Sequence, residues 1–177
     1  MGLMVVLQPG FGRALVVGAG KVAARKVKAL TDAEFVVTVI APAVLDEIRV
    51  APSVALVERT FQAADLEPGH YSIVFACTDD REVNAAIGQA ARAKGIPVLV
   101  ADAQDESTFF TPAVLRDGDL VVGVSTGGAS PALARKIREQ IAAAIGGGWQ
   151  RALGLARQER EARLGRAPSS TIAEDDE

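Results

Sequence analysis

The chain carries one cysteine and one histidine among its 177 residues. A lone Cys77 excludes an internal disulfide and any cysteine-rich zinc or iron–sulfur site. No cluster of His, Cys and acidic residues has the spacing of a resident metal site, so none is expected. No uninterrupted apolar run approaches the about 18 residues that span a bilayer. The apolar opening, residues 1–6, is short and lacks the basic leader and long apolar region of a secretion signal. Val6 stands where N-myristoylation needs Ser or Thr. The expectation is a cytoplasmic protein with no membrane partner. A surplus of positive charge is also missing: the formal net charge is -3, which gives no general attraction to nucleic acid. An anionic ligand must therefore meet a local cluster of Arg and Lys.

What is present is a core and a period. Hydrophobic residues make up 49% of the chain and charged ones 23%, enough to bury a substantial α/β domain. Apolar runs at residues 13–17, 35–40, 54–57, 72–76 and 97–101 alternate with helical patterns. Near-continuous apolar strands of this kind indicate a parallel sheet covered on both faces, in a Rossmann-type doubly wound α/β fold. The first crossover helix covers residues 21–30, with Ala23, Val27 and Leu30 on one face. A second helix near residues 81–94 takes Asp79 as its N-cap with Glu82 three residues on, and ends at Gly95.

The pattern changes after Thr111-Pro112. One further strand is expected at residues 120–124, then the turn Ser125-Thr126-Gly127-Gly128-Ala129. Ser130 and Pro131 read as N-cap and N1 of a helix to about residue 145. Leu133, Ile137, Ile141 and Ile145 give that helix one apolar face, which a lone strand cannot cover, so a partner subunit is expected. Gly146-Gly147-Gly148 breaks the chain before a charged helix over 149–165 and an acidic tail expected to be disordered. The expected organisation is a dinucleotide-binding domain at 1–113, a dimerisation region at 114–146 and a short helical segment with its tail at 147–177.

The strongest local signal is Gly18-Ala19-Gly20-Lys21-Val22-Ala23, lying between a strand and a helix. This is the context that the dinucleotide fingerprint requires. Gly18 permits the tight turn, and Gly20 lets the backbone approach a pyrophosphate. Ala23 allows close helix–strand packing, and the helix N-terminus faces the phosphates. The acid that should hold the adenosine ribose about 20 residues on is missing, because the stretch reads Thr38-Val39-Ile40-Ala41-Pro42. Either backbone groups around Pro42 and Ala43 hold the ribose, or the cofactor is not a nicotinamide dinucleotide; residue chemistry here leaves NAD and NADP both open.

Ligands of open parallel sheets bind beyond the carboxyl ends of the strands. Thr78-Asp79-Asp80 and Asp102 emerge there. Thr78 can meet the cofactor; Asp79 competes between that role and helix capping. Asp102 has no clear helix to cap and is a candidate general base, against the alternative of an acid that stabilises its own turn. His70 sits in a turn at the opposite end of the sheet and reads as a surface residue. Cys77 reads as core.

VVGAGKVAARK, ACTDDREVN, the VAD ending at Asp102, and STGGASPALARKIRE together resemble the siroheme-synthase N-terminal family over about residues 5–145. The last motif is not a general Rossmann feature. Members are precorrin-2 dehydrogenases, some of them also sirohydrochlorin ferrochelatases. The resemblance implies NAD-dependent oxidation of precorrin-2 to sirohydrochlorin by a homodimer, with Fe(II) a further substrate if chelation is retained. It places the catalytic acid on Asp102, and cofactor contacts on Lys21, Val22, Pro42 and Ala43, with Thr78 and Asp79. Similar proteins also do without the missing acid, which favours NAD. Thr126, Gly127, Ser130 and Arg135 become the candidate contacts to the carboxylates of precorrin-2, aided by Arg25, Lys26, Lys28, Lys136 and Arg138. Leu99 and Thr126 depart from residues common in the family, and the short C-terminal part bears on chelation. The methyltransferase module fused to some members does not fit within this chain. The alternative function is a non-catalytic NAD-sensing or tetrapyrrole-binding module.

Overall fold

A computed structural model describes residues 2–67 and 70–165. The expected disordered tail at 168–177 lies outside them. The chain divides into two compact units, Met1–Phe110 and Thr111–Glu177.

The first unit is built on five parallel strands: β1 (Ala14–Val17), β2 (Val37–Ile40), β3 (Val54–Val57), β4 (Ile73–Ala76) and β5 (Val98–Val100). Their order is β3-β2-β1-β4-β5. All residues of β1, β2 and β4 are buried. Alternate residues of each strand enter two separate cores, which is why no polar alternation shows in the sequence. Ala14 and Val16 pack with Val37, Val39 and Phe75 beneath Ala23, Val27 and Leu30 of α1 (Lys21–Thr31). Leu15 and Val17 pack with Val74, Val98 and Val100 beneath Ile87 and Ala91 of α3 (Arg81–Ala93). Each fully buried Val, Leu or Ile contributes about 1.5–3 kcal/mol of apolar transfer energy. A short α2 (Asp46–Arg49), not expected from periodicity, buries Ile48 in the first of these cores.

The N-cap of α3 is Asp80, not Asp79. The Asp80 carboxylate accepts from the amides of Glu82 at 2.8 Å and Val83 at 3.1 Å. The helix begins at Arg81, and only the adjacent acid can reach the second and third amides. Its far end closes as expected at Gly95, with φ +70°. There the amides of Gly95 and Ile96 donate to Arg92 and Ala91 carbonyls at 3.0 and 2.9 Å, the Schellman arrangement.

The second unit begins with a hairpin, not a lone strand. β6 (Ala113–Asp117) pairs antiparallel with β7 (Leu120–Val124). Gly118-Asp119 forms the two-residue loop, and Gly118 sits at φ +57°. Positive φ at the first loop position suits the twist of a tight hairpin. α4 (Pro131–Ile145) packs on both strands and α5 (Trp149–Arg163) follows the glycine break. Within α4, Ala134 is buried, while Leu133 is 48% exposed. Ile137, Ile141 and Ile145 are half-buried. The Trp149 amide donates to Asp117 Oδ2 at 2.8 Å, tying the start of α5 to the hairpin. Among the described residues no helix is long and apolar enough to cross a membrane.

Candidate functional site

β1 lies at the switch point of the sheet, between β2 and β4. There the chain leaves the sheet through Gly18, whose amide donates to the Ile40 carbonyl at 2.9 Å. The Cys77 amide donates to the Val17 carbonyl at 2.8 Å from the other side. Gly18 has φ +99°, and a Cβ there would collide with the Cys77 carbonyl and lie 2.8 Å from the Thr78 amide nitrogen. Only glycine fits a position so crowded by backbone. Gly20 differs: its φ is -83°, and a Cβ would meet nothing within 4 Å. Its freedom from side chain keeps open the space above the start of α1.

Gly20 caps α1 without any side-chain hydrogen bond. Gly20 thus brings no side chain to compete for the first-turn amides, including those of Lys21 and Val22. Both residues are exposed, whereas Ala23 is fully buried against the sheet. An open cradle over uncapped helix amides fits a dinucleotide pyrophosphate. Pro42 and Ala43 are exposed just beyond β2, next to the buried Ala41.

The loop after β4 is pinned by Asn84, a fully buried polar residue of α3 that its position in ACTDDREVN did not single out. The Thr78 amide donates to Asn84 Oδ1 at 3.0 Å, and Asn84 Nδ2 returns a bond to the Thr78 carbonyl at 3.1 Å. The Thr78 hydroxyl lies 2.7 Å from Asn84 Oδ1 and 2.9 Å from the Asp80 carbonyl. It has one proton for these two acceptors and retains a lone pair for a ligand. Asp79 is exposed. The signal that could have found Asn84 is its period: it falls one turn from Ile87 and Gly88 on the buried face of α3.

Asp102 stands two residues past β5, on a turn, with its side chain 39% exposed. Arg81, the first residue of α3, donates from Nη1 to Asp102 Oδ1 at 2.9 Å and from Nη2 to Glu106 Oε1. Glu106 thus turns inward, and its carbonyl accepts from Arg92. The Glu106 pairing, first of all, and that with Asp102 hold the Arg81 guanidinium above its ordinary pKa. The loop itself is tied to the edge of the sheet. The Val98 amide donates to the Thr108 hydroxyl at 2.8 Å, and the Val100 amide to Ser107 Oγ at 2.9 Å. These hydroxyls occupy ladder groups that an exposed edge strand would leave unpaired.

Cys77 is buried as expected, and burial pushes its thiol up to about 11. Asp102 raises it further, while Lys26 and Arg25 act in the opposite sense, so these charges all lie in electrostatic reach of the end of β4. Burial also holds the Lys26 ammonium below its ordinary value. Lys28 faces elsewhere, in an exposed pair with Asp32.

In the second unit, the turn before α4 is closed by its own hydroxyls. Thr126 Oγ1 donates to the Ser130 carbonyl at 3.1 Å and accepts from the Ser130 amide at 3.0 Å. Ser130 Oγ accepts from the Leu133 amide at 3.2 Å. Gly127 and Gly128 adopt φ of 64° and 86°. Pro131 has no amide proton and the Leu133 amide is used, so the helix start offers an anion the Ala132 amide. Arg135 and Lys136 are exposed, and Arg138 pairs with Glu139. Among the described residues no three His, Cys, Asp or Glu side chains converge on a metal position.

Residues 5–113 match a family described as "Putative NAD(P)-binding", and residues 117–144 match the family "Sirohaem biosynthesis protein central". The siroheme synthase of Methylococcus capsulatus is 46% identical over 134 residues, covering 74% of this chain and 28% of that protein. The siroheme synthase of Pseudomonas paraeruginosa is 41% identical over 146 residues, covering 81% and 31%. The chain thus spans less than a third of the length of these relatives. A solved structure titled "SirC, precorrin-2 dehydrogenase" superposes with a TM-score of 0.71 at 24% identity, over 96% of this chain and 84% of that one. That likeness shows the fold.

Proposed function

The chain belongs to the putative NAD(P)-binding family matched over residues 5–113, and from that premise, with the sirohaem-biosynthesis match at 117–144, we propose that it oxidises precorrin-2 to sirohydrochlorin with NAD. One observation carries the reading. The open Gly20 cradle at the switch point and an acid delivered past β5 occur in a chain whose second module matches the sirohaem family.

NAD supplies the acceptor for the hydride that leaves the macrocycle. The Lys21 and Val22 amides would hold its pyrophosphate and backbone around Pro42 and Ala43 its ribose, with Thr78 and Asp79 as further contacts. Asp102 takes the proton released on oxidation or orients the macrocycle. In the second unit, the Thr126-Gly127 turn, Ser130 and Arg135 meet carboxylates of the substrate. The half-covered Ile137–Ile141–Ile145 stripe packs on a second copy of the chain in a cytoplasmic homodimer.

The test is a pair of assays on the purified chain. With precorrin-2 and NAD, reduced nicotinamide accumulates, and Asp102→Ala lowers the rate by at least about 100-fold. Full activity of Asp102→Ala contradicts the assignment. With sirohydrochlorin and Fe(II) as substrates, siroheme formation by the chain and its loss in Asp102→Ala decide whether the same carboxylate also serves chelation. A module that only senses nucleotide or carries tetrapyrrole binds its ligand and forms no reduced nicotinamide.

A further inference from the structure

Asp102 projects from a turn, and its carboxylate accepts from Arg81 Nη1 at 2.9 Å. Arg81 is itself firmly placed. It is the first residue of α3, immediately after the Asp80 cap and the loop that Asn84 locks through Thr78. Its fork is shared: Nη1 holds Asp102 at 2.9 Å, and Nη2 holds Glu106, whose carbonyl is in turn held by Arg92. A planar guanidinium bridging two acids fixes direction as well as distance, which an ammonium cannot reproduce.

The Arg81–Asp102 pair itself adds little stability. The Arg81 and Asp102 side chains are 44% and 39% exposed, and exposed pairs of this kind contribute only about 0–1 kcal/mol. Geometry is another matter, since a displacement of about 1 Å at a reacting group can cost about 100-fold in rate. We propose that Arg81 is a positioning residue: braced by Glu106, its guanidinium aims the Asp102 carboxylate and so sets turnover without touching the substrate.

This rests on Asp102 acting in precorrin-2 oxidation, and the experiment separates the two claims. Steady-state kinetics with precorrin-2 and NAD are measured for the full chain and for Arg81→Gln, Arg81→Lys and Asp102→Asn, with a thermal melt of each. Arg81→Gln is expected to lower kcat by about 10- to 100-fold, with KM for both substrates within about twofold and a melting midpoint still well above the assay temperature. Arg81→Lys recovers part of the loss by restoring one of the two contacts. Wild-type kcat in Arg81→Gln, beside an impaired Asp102→Asn, overturns this inference alone. A rise in KM for precorrin-2 at unchanged kcat also overturns it, making Arg81 a substrate ligand. A loss of kcat that merely follows a melting midpoint lowered to the assay temperature overturns it as well. Full turnover in Asp102→Asn, or none in the unaltered chain, removes the functional reading itself.

Discussion

Gly18 and Gly20 are two residues apart in one motif, yet they serve different ends. Gly18 is demanded by the fold, through its φ of +99° and the backbone of Cys77 and Thr78 against it. Gly18→Ala should therefore destabilise the chain by about 1–3 kcal/mol or more in urea unfolding. Gly20→Ala meets no neighbour and has an ordinary φ, so its stability should stay within about 0.5 kcal/mol of the parent. Its NAD affinity should fall by about tenfold, read by titration. If both glycines behave alike in both measurements, the division is wrong. Cys77 gives a pH-dependent check. Burial disfavours its thiolate, so the thiolate fraction at pH 8 is about a hundredfold below that of an ordinary cysteine with the usual value of 9.0. Alkylation at pH 8 should be at least about tenfold slower in the folded chain than in urea, and should rise as pH approaches about 11. Rapid alkylation of the folded chain would show an accessible thiol. The fingerprint glycines and the buried Cys77 were legible from residue type and context. Arg81 was not, because its partners lie 21 and 25 residues away, across a loop whose direction only the folded edge of β5 defines.

Elements were more readable in their middles than at their ends. The start of α3 turns on which of two neighbouring aspartates precedes the first helical residue, a distinction that composition cannot make. Asp80→Ala should cost about 1 kcal/mol and Asp79→Ala close to nothing, compared by thermal melting. The reverse order would restore Asp79 as the cap. The signal for β6 lies in Val114-Leu115-Arg116-Asp117-Gly118-Asp119-Leu120 and is weak. Two apolar runs separated by two residues beginning with Gly mark a hairpin, but Arg116 and Asp117 interrupt the apolar pattern of the first strand. The resulting hairpin gives α4 a surface to cover, buries Ala134, and leaves Leu133 outward.

At the scale of the molecule, the parallel sheet was written in the sequence, because strands covered on both faces must be apolar throughout. Every strand of the first unit falls inside an apolar run read from the chain alone. The second unit was harder to read, since its antiparallel hairpin is half-buried and its helix stripe only partly covered. If that stripe is the face between two copies, Ile137→Glu should convert a dimer to a monomer in light scattering while leaving NAD affinity of the first unit unchanged. A monomeric parent chain would contradict the dimer. The central claim concerns chemistry, and one measurement meets it directly: the absorbance of reduced nicotinamide after mixing the chain with precorrin-2 and NAD. The account predicts one equivalent of NADH for each precorrin-2 consumed, with sirohydrochlorin as product. Binding of both ligands with no NADH formed would contradict it.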